Sequence, residues 1–245
     1  MHRCFVPTDR LRLEAFDLDE AEARHAVQVL RLGPGDRVAL LDGAGTLAEG
    51  VLEQTGRRSA RVRVVGRSSV PAPAVPIHLL VALLKGKALD LVLEKAVELG
   101  AASIVLLETD HGVARVPASE ADRKRETWRH TLVEASKQSR NPWLPELVGP
   151  VPVVAAAATA RESGDALILA SLAADTRPLG TVLAGLPQRV PGIRIAIGPE
   201  GDFTAEEEGI LRSAGALAVD LGPRILRAET AAIAALAIAS EHTRR

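Results

Sequence analysis

What this chain has little of narrows its chemistry first. It holds one cysteine, Cys4, in 245 residues, so no internal disulfide can form and a Cys-rich zinc site is excluded. None of its six histidines stands in an HExxH spacing, and no metal is expected. Tyrosine is absent and aromatic residues make up 2%, which leaves no extended stacking platform for nucleic acid. Apolar runs such as Ile77 to Leu84 fall well short of the ~20 residues that span a bilayer, and no apolar signal segment opens the chain. A cytoplasmic protein without membrane contact is expected. The net charge of -1 provides no overall positive field, so any attraction to nucleic acid must come from local patches. Neither a Walker loop, GxxxxGK followed by Ser or Thr, nor a GxGxxG after a strand is present, which disfavours a nucleoside-triphosphate cradle and a dinucleotide-binding dehydrogenase alike.

What is present is an ordinary globular composition, 47% apolar and 25% charged, on a chain long enough to bury a substantial core. The first part reads as a small β-rich unit over residues 1–70. An acidic start at Asp17 to Glu22 leads into a helix with Ala23, Ala26, Val27 and Leu30 on one face, ended by Gly33-Pro34-Gly35. Strands are expected at Arg37 to Leu41, Thr46 to Leu52 and Ala60 to Val65, with an Asp42-Gly43 turn. The Pro-rich stretch Ser68 to Pro76 is a stiff linker.

From residue 77 to 245 the texture changes to apolar runs alternating with amphipathic helices, the pattern of an α/β domain with a parallel sheet. Strands are expected at Ile77 to Leu84, Ile104 to Leu107, Ala166 to Ala170, Ile193 to Ile197 and Ala218 to Leu221. Helices are expected from Leu89 to Leu99, from Ser119 to Ser139 with a basic outer face, near Thr181 to Leu186, after the capping box Thr204-Ala205-Glu206-Glu207, and from Thr230 to Glu241.

Two loops stand out, Ile197-Gly198-Pro199-Glu200-Gly201-Asp202-Phe203 and Leu221-Gly222-Pro223-Arg224-Ile225-Leu226-Arg227-Ala228-Glu229-Thr230-Ala231. Both follow apolar strands, the place where open α/β sheets bind ligands. Gly198 and Gly201 allow close backbone approach, although such a loop also serves as a plain strand-to-helix turn. Arg224 and Arg227 can cap carbonyls or sit solvated, and Glu229 can simply complement a helix N-terminus. The chemical reading is an arginine that stabilises developing negative charge and a carboxylate that orients or accepts a proton.

The strings HRCFV, RHAVQVLRLGPGD, KGKALDLVLEKAVELGA, EASKQSRNPWLPEL, IGPEGDF and LGPRILRAETA, in this order through both domains, closely resemble the RsmE family. These are SPOUT-class methyltransferases that modify N3 of a uridine in 16S ribosomal RNA. The resemblance implies an N-terminal PUA-like β-barrel for RNA contact, a C-terminal α/β domain with a trefoil knot, and a homodimer formed through the knotted region. It implies S-adenosylmethionine as cofactor, and 16S rRNA or the assembled small ribosomal subunit as partner. The cofactor residues carried over are Leu172; Ile197, Gly198, Pro199, Glu200 and Gly201; and Leu221, Gly222, Ile225, Leu226, Arg227, Ala228, Thr230 and Ala231. Arg227 and Glu229 are the catalytic candidates. RNA contacts are expected from Arg3, Phe5, Arg31, Lys85, Lys87, Lys137, Gln138 and Arg140. Two departures from the family pattern are visible. Asp202 replaces the last glycine of Gly-Pro-Glu-Gly-Gly, which bears on cofactor approach, and Thr109 to Val113 stands where a Ser/Arg-rich loop is usual. A non-catalytic RNA-binding or assembly protein is the competing class.

Overall fold

The computed structural model describes residues 1–244. They form two compact units, Met1–Ala72 together with Val133–Leu144, and Pro73–Leu132 together with the chain from Pro145 onward.

The first unit is built on β1 (His2–Phe5), β2 (Ala15–Asp17), β3 (Arg37–Leu41), β4 (Thr46–Thr55) and β5 (Ala60–Ser69). Their order is β1-β3-β4-β5-β2, with β1 parallel to β3 and the remaining pairs antiparallel. Alternation places Val38, Leu40, Leu52 and Val62 inward, where they meet Cys4, Leu11 and Phe16 in one core. The Asp42-Gly43 corner forms as its residue types require. The Asp42 carboxylate accepts the N–H groups of Ala44 and Thr46 at 2.8 and 2.9 Å, and Gly43 turns at φ +73°.

The expected helix at Ala23 to Leu30 starts as α1 (Glu20–Arg24), with Asp19 accepting the Glu22 N–H as N-cap. It then widens into a π turn over His25–Val29. Arg31 ends the segment at φ +57°.

The second unit runs β6 (Ile77–Ala82), α2 (Lys87–Glu98), β7 (Ser103–Glu108), α3 (Ala121–Ser139), β8 (Glu146–Pro152), α4 (Val153–Ser163), β9 (Ala166–Ala170), β10 (Arg177–Pro178), α5 (Leu179–Ala184), β11 (Ile193–Ile197), α6 (Ala205–Ser213), β12 (Leu217–Asp220) and α7 (Ala228–Thr243). The last turns of α3 fall within the first unit. All strand pairs in the sheet are parallel, in the order β10-β12-β9-β11-β6-β7-β8.

Such strands are buried on both faces. Leu80, Val105, Leu107, Leu167, Leu169 and Ala196 pack with α4 and α6, while α7 lies on β6 and β11 beside α2 and α5. β8 and α4 have no counterpart among the expected elements. Gly149-Pro150 reads as a turn yet lies inside β8, an edge strand where proline is tolerated. α4 is an alanine run with little periodic contrast.

Candidate functional site

Strands β9, β11 and β12 are neighbours in the sheet, and the loops leaving their carboxyl ends enclose a cleft. Its empty space is about 630 Å³, including the part open to solvent. Ala170, Ser171 and Leu172 come from the first loop, residues 197–200 and Asp202 from the second, and residues 219–222, 224–226, Ala228 and Ala231 from the third. Residues 50 apart in sequence meet here because the chain places β12 beside β9, beyond β11.

Each wall is fixed by its own hydrogen bonds. In the first loop, the Ser171 N–H donates to the Val219 carbonyl at 3.0 Å, and its hydroxyl donates to Glu208 at 3.1 Å. Arg212 clamps Asp175 with two bonds of 2.9 Å, and those bonds hold the Asp175 carboxyl below its ordinary pKa.

In the second loop, Gly198 and Pro199 are buried and Glu200 is exposed. A Cβ on Gly198 would lie 3.0 Å from both Asp202 Oδ1 and the Phe203 nitrogen, so only glycine fits there without displacing the wall. Asp202 adopts φ +59°, the left-handed conformation that glycine would supply. Its Oδ1 accepts the Phe203 N–H at 2.8 Å, one of the ways a short acid tolerates this region. Asp202 therefore makes the turn that a glycine would make and adds a carboxylate to the cleft.

Thr204 and Glu207 then cap α6 reciprocally, the capping box expected from the sequence. In the third loop, Asp220 Oδ1 accepts the Gly222 N–H at 3.0 Å, and Gly222 turns at φ +113°.

Of the expected cofactor residues, Leu172, Ile197, Gly198, Pro199, Glu200, Leu221, Gly222, Ile225, Leu226, Ala228 and Ala231 line the cleft. Gly201, Arg227 and Thr230 are outside its lining, as is Glu229. Arg227 is the exposed N-cap residue of α7, and Glu229 lies half-buried in its first turn. Val219 and Asp220 escaped the sequence reading. The signal that would have found them is position alone, at or just past the end of a parallel strand.

The cleft's chemistry is mixed. Apolar walls of Leu172, Ile197, Val219, Leu221, Ile225 and Leu226 suit a flat heterocycle; Glu200, Asp202 and Asp220 suit a cation or sugar hydroxyls; and Arg224 suits a carboxylate. That donor set fits S-adenosylmethionine, which carries all four groups.

In the first unit, Arg3 and Arg140 line one groove together with Arg67, which the sequence reading did not single out. Arg31, Gln138 and Arg140 are exposed. Phe5 is half-buried, with its ring edge against Gly43. Lys85 and Lys87 are exposed and belong to the second unit.

Lys137 requires a correction. It is 8% exposed, and its ammonium donates to Glu22 at 2.8 Å and Glu134 at 2.9 Å. Burial pulls its pKa down, but those two bonds outweigh burial and hold it above its ordinary value. A buried, doubly paired ammonium is not offered to a phosphate.

His2, Cys4 and Glu22 bring ligand-type atoms within 4.8 Å of one another. The Lys137 ammonium already supplies the cation that Glu22 needs.

A second polar cluster occupies the opposite ends of the strands. Ser103 Oγ and His78 Nδ1 are 2.8 Å apart, and His78 Nε2 is 4.0 Å from Asp165. That order resembles a hydrolytic triad, but Arg194 takes the Asp165 carboxylate at 2.7 Å. The longer contact is beyond hydrogen-bond range, so Asp165 does not orient the imidazole as a triad acid would.

With this geometry in view, residues 71–240 match the model of an RNA methyltransferase domain, and residues 18–65 match that of an RNA methyltransferase PUA domain. The chain is 34% identical over 222 residues to the ribosomal RNA small subunit methyltransferase E of Mycobacterium bovis, covering 89% of this chain and 83% of that protein. It is 27% identical to the protein of that name from Bacillus subtilis, covering 99% and 97%. The crystal structure of the Neisseria gonorrhoeae ribosomal RNA small subunit methyltransferase E bound to S-adenosyl methionine superposes with a TM-score of 0.84 at 26% identity, over 97% of this chain and 95% of that one.

Proposed function

This chain belongs to the RNA methyltransferase family matched over residues 71–240, and from that premise we propose that it transfers a methyl group from S-adenosylmethionine to N3 of a uridine in 16S ribosomal RNA. The small-subunit RNA and the cofactor follow from relatives named ribosomal RNA small subunit methyltransferase E and from a neighbour solved with S-adenosyl methionine. The single observation in this chain that carries the reading is the three-loop cleft at the ends of β9, β11 and β12, whose lining fits that cofactor. The PUA domain matched at residues 18–65 is the expected grip on RNA, through the groove of Arg3, Arg67 and Arg140.

When bound, the cofactor presents an electrophilic methyl group on a cationic sulfonium. Backbone at Gly198 and Gly222 and the apolar walls would hold it. The carboxylates of Glu200, Asp202 and Asp220 favour the cationic reactant electrostatically over the neutral thioether product. With the cofactor bound, uridine N3 would take the methyl carbon as the carbon–sulfur bond pair returns to sulfur, and the N3 proton would have to leave. Arg227 is assigned to the negative charge spreading over the flanking carbonyl oxygens, and Glu229 to orientation or to the proton. Both precede or open α7, whose N-terminal dipole favours negative charge.

The finer features belong to the same proposal. β10 and β12 lie on one side of β9 and β11 on the other, an arrangement in keeping with a threaded chain and thus with a trefoil knot. Ile225 and Leu172 are 81% and 65% exposed beside the cleft, apolar surface that a second copy would cover in a homodimer. Among the described residues no helix is long and apolar enough to cross a membrane, and the ribosome as substrate agrees with a cytoplasmic site of action.

The test is methyl transfer from labelled S-adenosylmethionine to small ribosomal subunits lacking the modification, followed by nucleoside separation. Label in 3-methyluridine is expected. Label in another nucleoside overturns the acceptor, and no label with a working control enzyme overturns the activity.

A further inference from the structure

Loop 109–115, between β7 and α3, contributes nothing to the cleft lining, yet it is bonded to the wall that does. His111 Nδ1 lies 2.9 Å from the Gly201 carbonyl oxygen and 3.1 Å from that of Asp202. Two acceptors facing one ring nitrogen require that nitrogen to carry the proton, so the tautomer is assigned by its partners. One residue earlier, the Asp110 N–H donates to Glu207 Oε1 at 2.9 Å, the carboxylate that also caps α6. The loop is stiffened from within, because the Arg115 guanidinium donates to the carbonyls of Thr109, Gly112 and Ala114 at 3.1, 2.7 and 2.9 Å.

The brace acts where the wall needs it. Asp202 is held at φ +59°, a conformation that disfavours a non-glycine residue. The Gly201 and Asp202 carbonyls flank that residue, and His111 packs so closely that a Cβ on Gly201 would lie 3.2 Å from its own Cβ. Glu200 and Asp202, which line the cleft, are thus fixed between the end of β11 and the cap of α6.

We infer that His111 is a positioning residue for cofactor capture, holding the 198–202 wall in its binding shape through a shared hydrogen bond to the Gly201 and Asp202 carbonyls. The inference rests on the proposed use of this cleft for S-adenosylmethionine. It adds a residue that neither lines the cleft nor belongs to the motifs that carry the family resemblance.

Three substitutions separate the hydrogen bond from packing. Alanine removes ring and donor, phenylalanine keeps the ring without the donor, and asparagine places an amide nitrogen close to the position of Nδ1. Calorimetric binding of S-adenosylmethionine to the full chain, together with steady-state transfer to small subunits, reads the outcome. For His111→Ala and His111→Phe, both Kd and KM for S-adenosylmethionine are expected to rise about fivefold to tenfold, the latter equal to ~1.4 kcal/mol. Their kcat at saturating cofactor should stay within about twofold, as expected when only binding is lost. His111→Asn should return Kd to within about twofold of the original protein. Equal binding by the original protein and His111→Phe overturns this inference alone, as does His111→Asn binding as weakly as His111→Phe. An original protein that binds no S-adenosylmethionine overturns the proposed function and this inference with it.

Discussion

Replacing Lys137 by methionine sets two readings of one residue against each other. On the sequence it is one cation among several on a basic helix; in the fold its ammonium is buried against Glu22, whose side chain is 10% exposed. Methionine keeps most of the volume, so packing loss is small. What changes is that Glu22 retains a charge in a buried site with its ammonium partner gone and neutral donors such as the Phe5 N–H, at 3.2 Å, left to oppose it. Removing one partner of a buried ion pair costs about 3–5 kcal/mol. The second partner, Glu134, is half exposed and adds no more than ~1 kcal/mol.

A loss of about 3 kcal/mol is therefore expected for the first unit. It would be read as the urea transition of Trp143 fluorescence in a Trp128→Phe background. Adding Glu22→Gln removes the stranded charge and should recover ~2 kcal/mol, a coupling that only contacting groups show. RNA binding by the folded variant supplies the opposite arm. A lost phosphate contact would lower the salt slope by about 0.7–0.9, whereas a buried lysine leaves it unchanged. A stability change below ~1 kcal/mol together with a reduced salt slope would refute the reasoning and return Lys137 to the RNA surface.

Other outcomes follow from single features. His2 has its pKa lowered to about 4, first by burial and then by Lys137, so the folded chain refuses a proton that the unfolded chain accepts. Stability should be full above about pH 6.5, fall as pH drops toward 4 and level off below. Discounted for partial exposure, the loss is ~1–2 kcal/mol, and the difference between the original protein and His2→Asn across that window measures it; a flat difference refutes it. Gly198→Ala should weaken S-adenosylmethionine binding about tenfold, a change of ~1.4 kcal/mol, because its Cβ meets Asp202 and Phe203 at 3.0 Å. Gly209→Ala, on α6 where an added Cβ meets nothing within 4 Å beyond its own helix, should leave binding alone and stabilise by ~0.5–1 kcal/mol; equal binding by both variants would refute the wall's geometry. Glu207→Ala loses the cap of α6 and the Asp110 tie, and should cost about 1–2 kcal/mol in thermal unfolding; an unchanged melting temperature would show that the box is not holding the helix.

Local rules were enough where local forces decide. β3, β9 and β11 have the bounds read from their apolar runs, and Thr204 caps α6 with Glu207 as the spacing requires. The two Gly-Pro loops could be paired into one site because each follows a parallel strand. What local rules missed depends on partners far away in sequence. Lys137 finds Glu22 across 115 positions, with no pattern near either to announce it. β8 is a strand despite Gly149-Pro150 because β7 offers it an edge. His111 looked like a departure from an expected RNA loop, and only the fold shows it against Gly201 and Asp202. Arg227 and Glu229 were chosen from their motif, and the cleft lining includes neither.

The sheet order also sets a timetable for biosynthesis. The third wall of the cleft comes from residues 219–231, which leave the ribosome after both of the other walls. β6 and α2 rest on α7, which is made after them and after every strand of the sheet. While translation proceeds, the N-terminal unit lacks only residues 133–144, and those emerge long before α7. A nascent chain therefore acquires the fold proposed to hold RNA well ahead of any place to hold a methyl donor. A chain cut short before Gly222 would keep the unit proposed to grip RNA and lack the third wall of the cleft, so it would compete for the proposed substrate without modifying it.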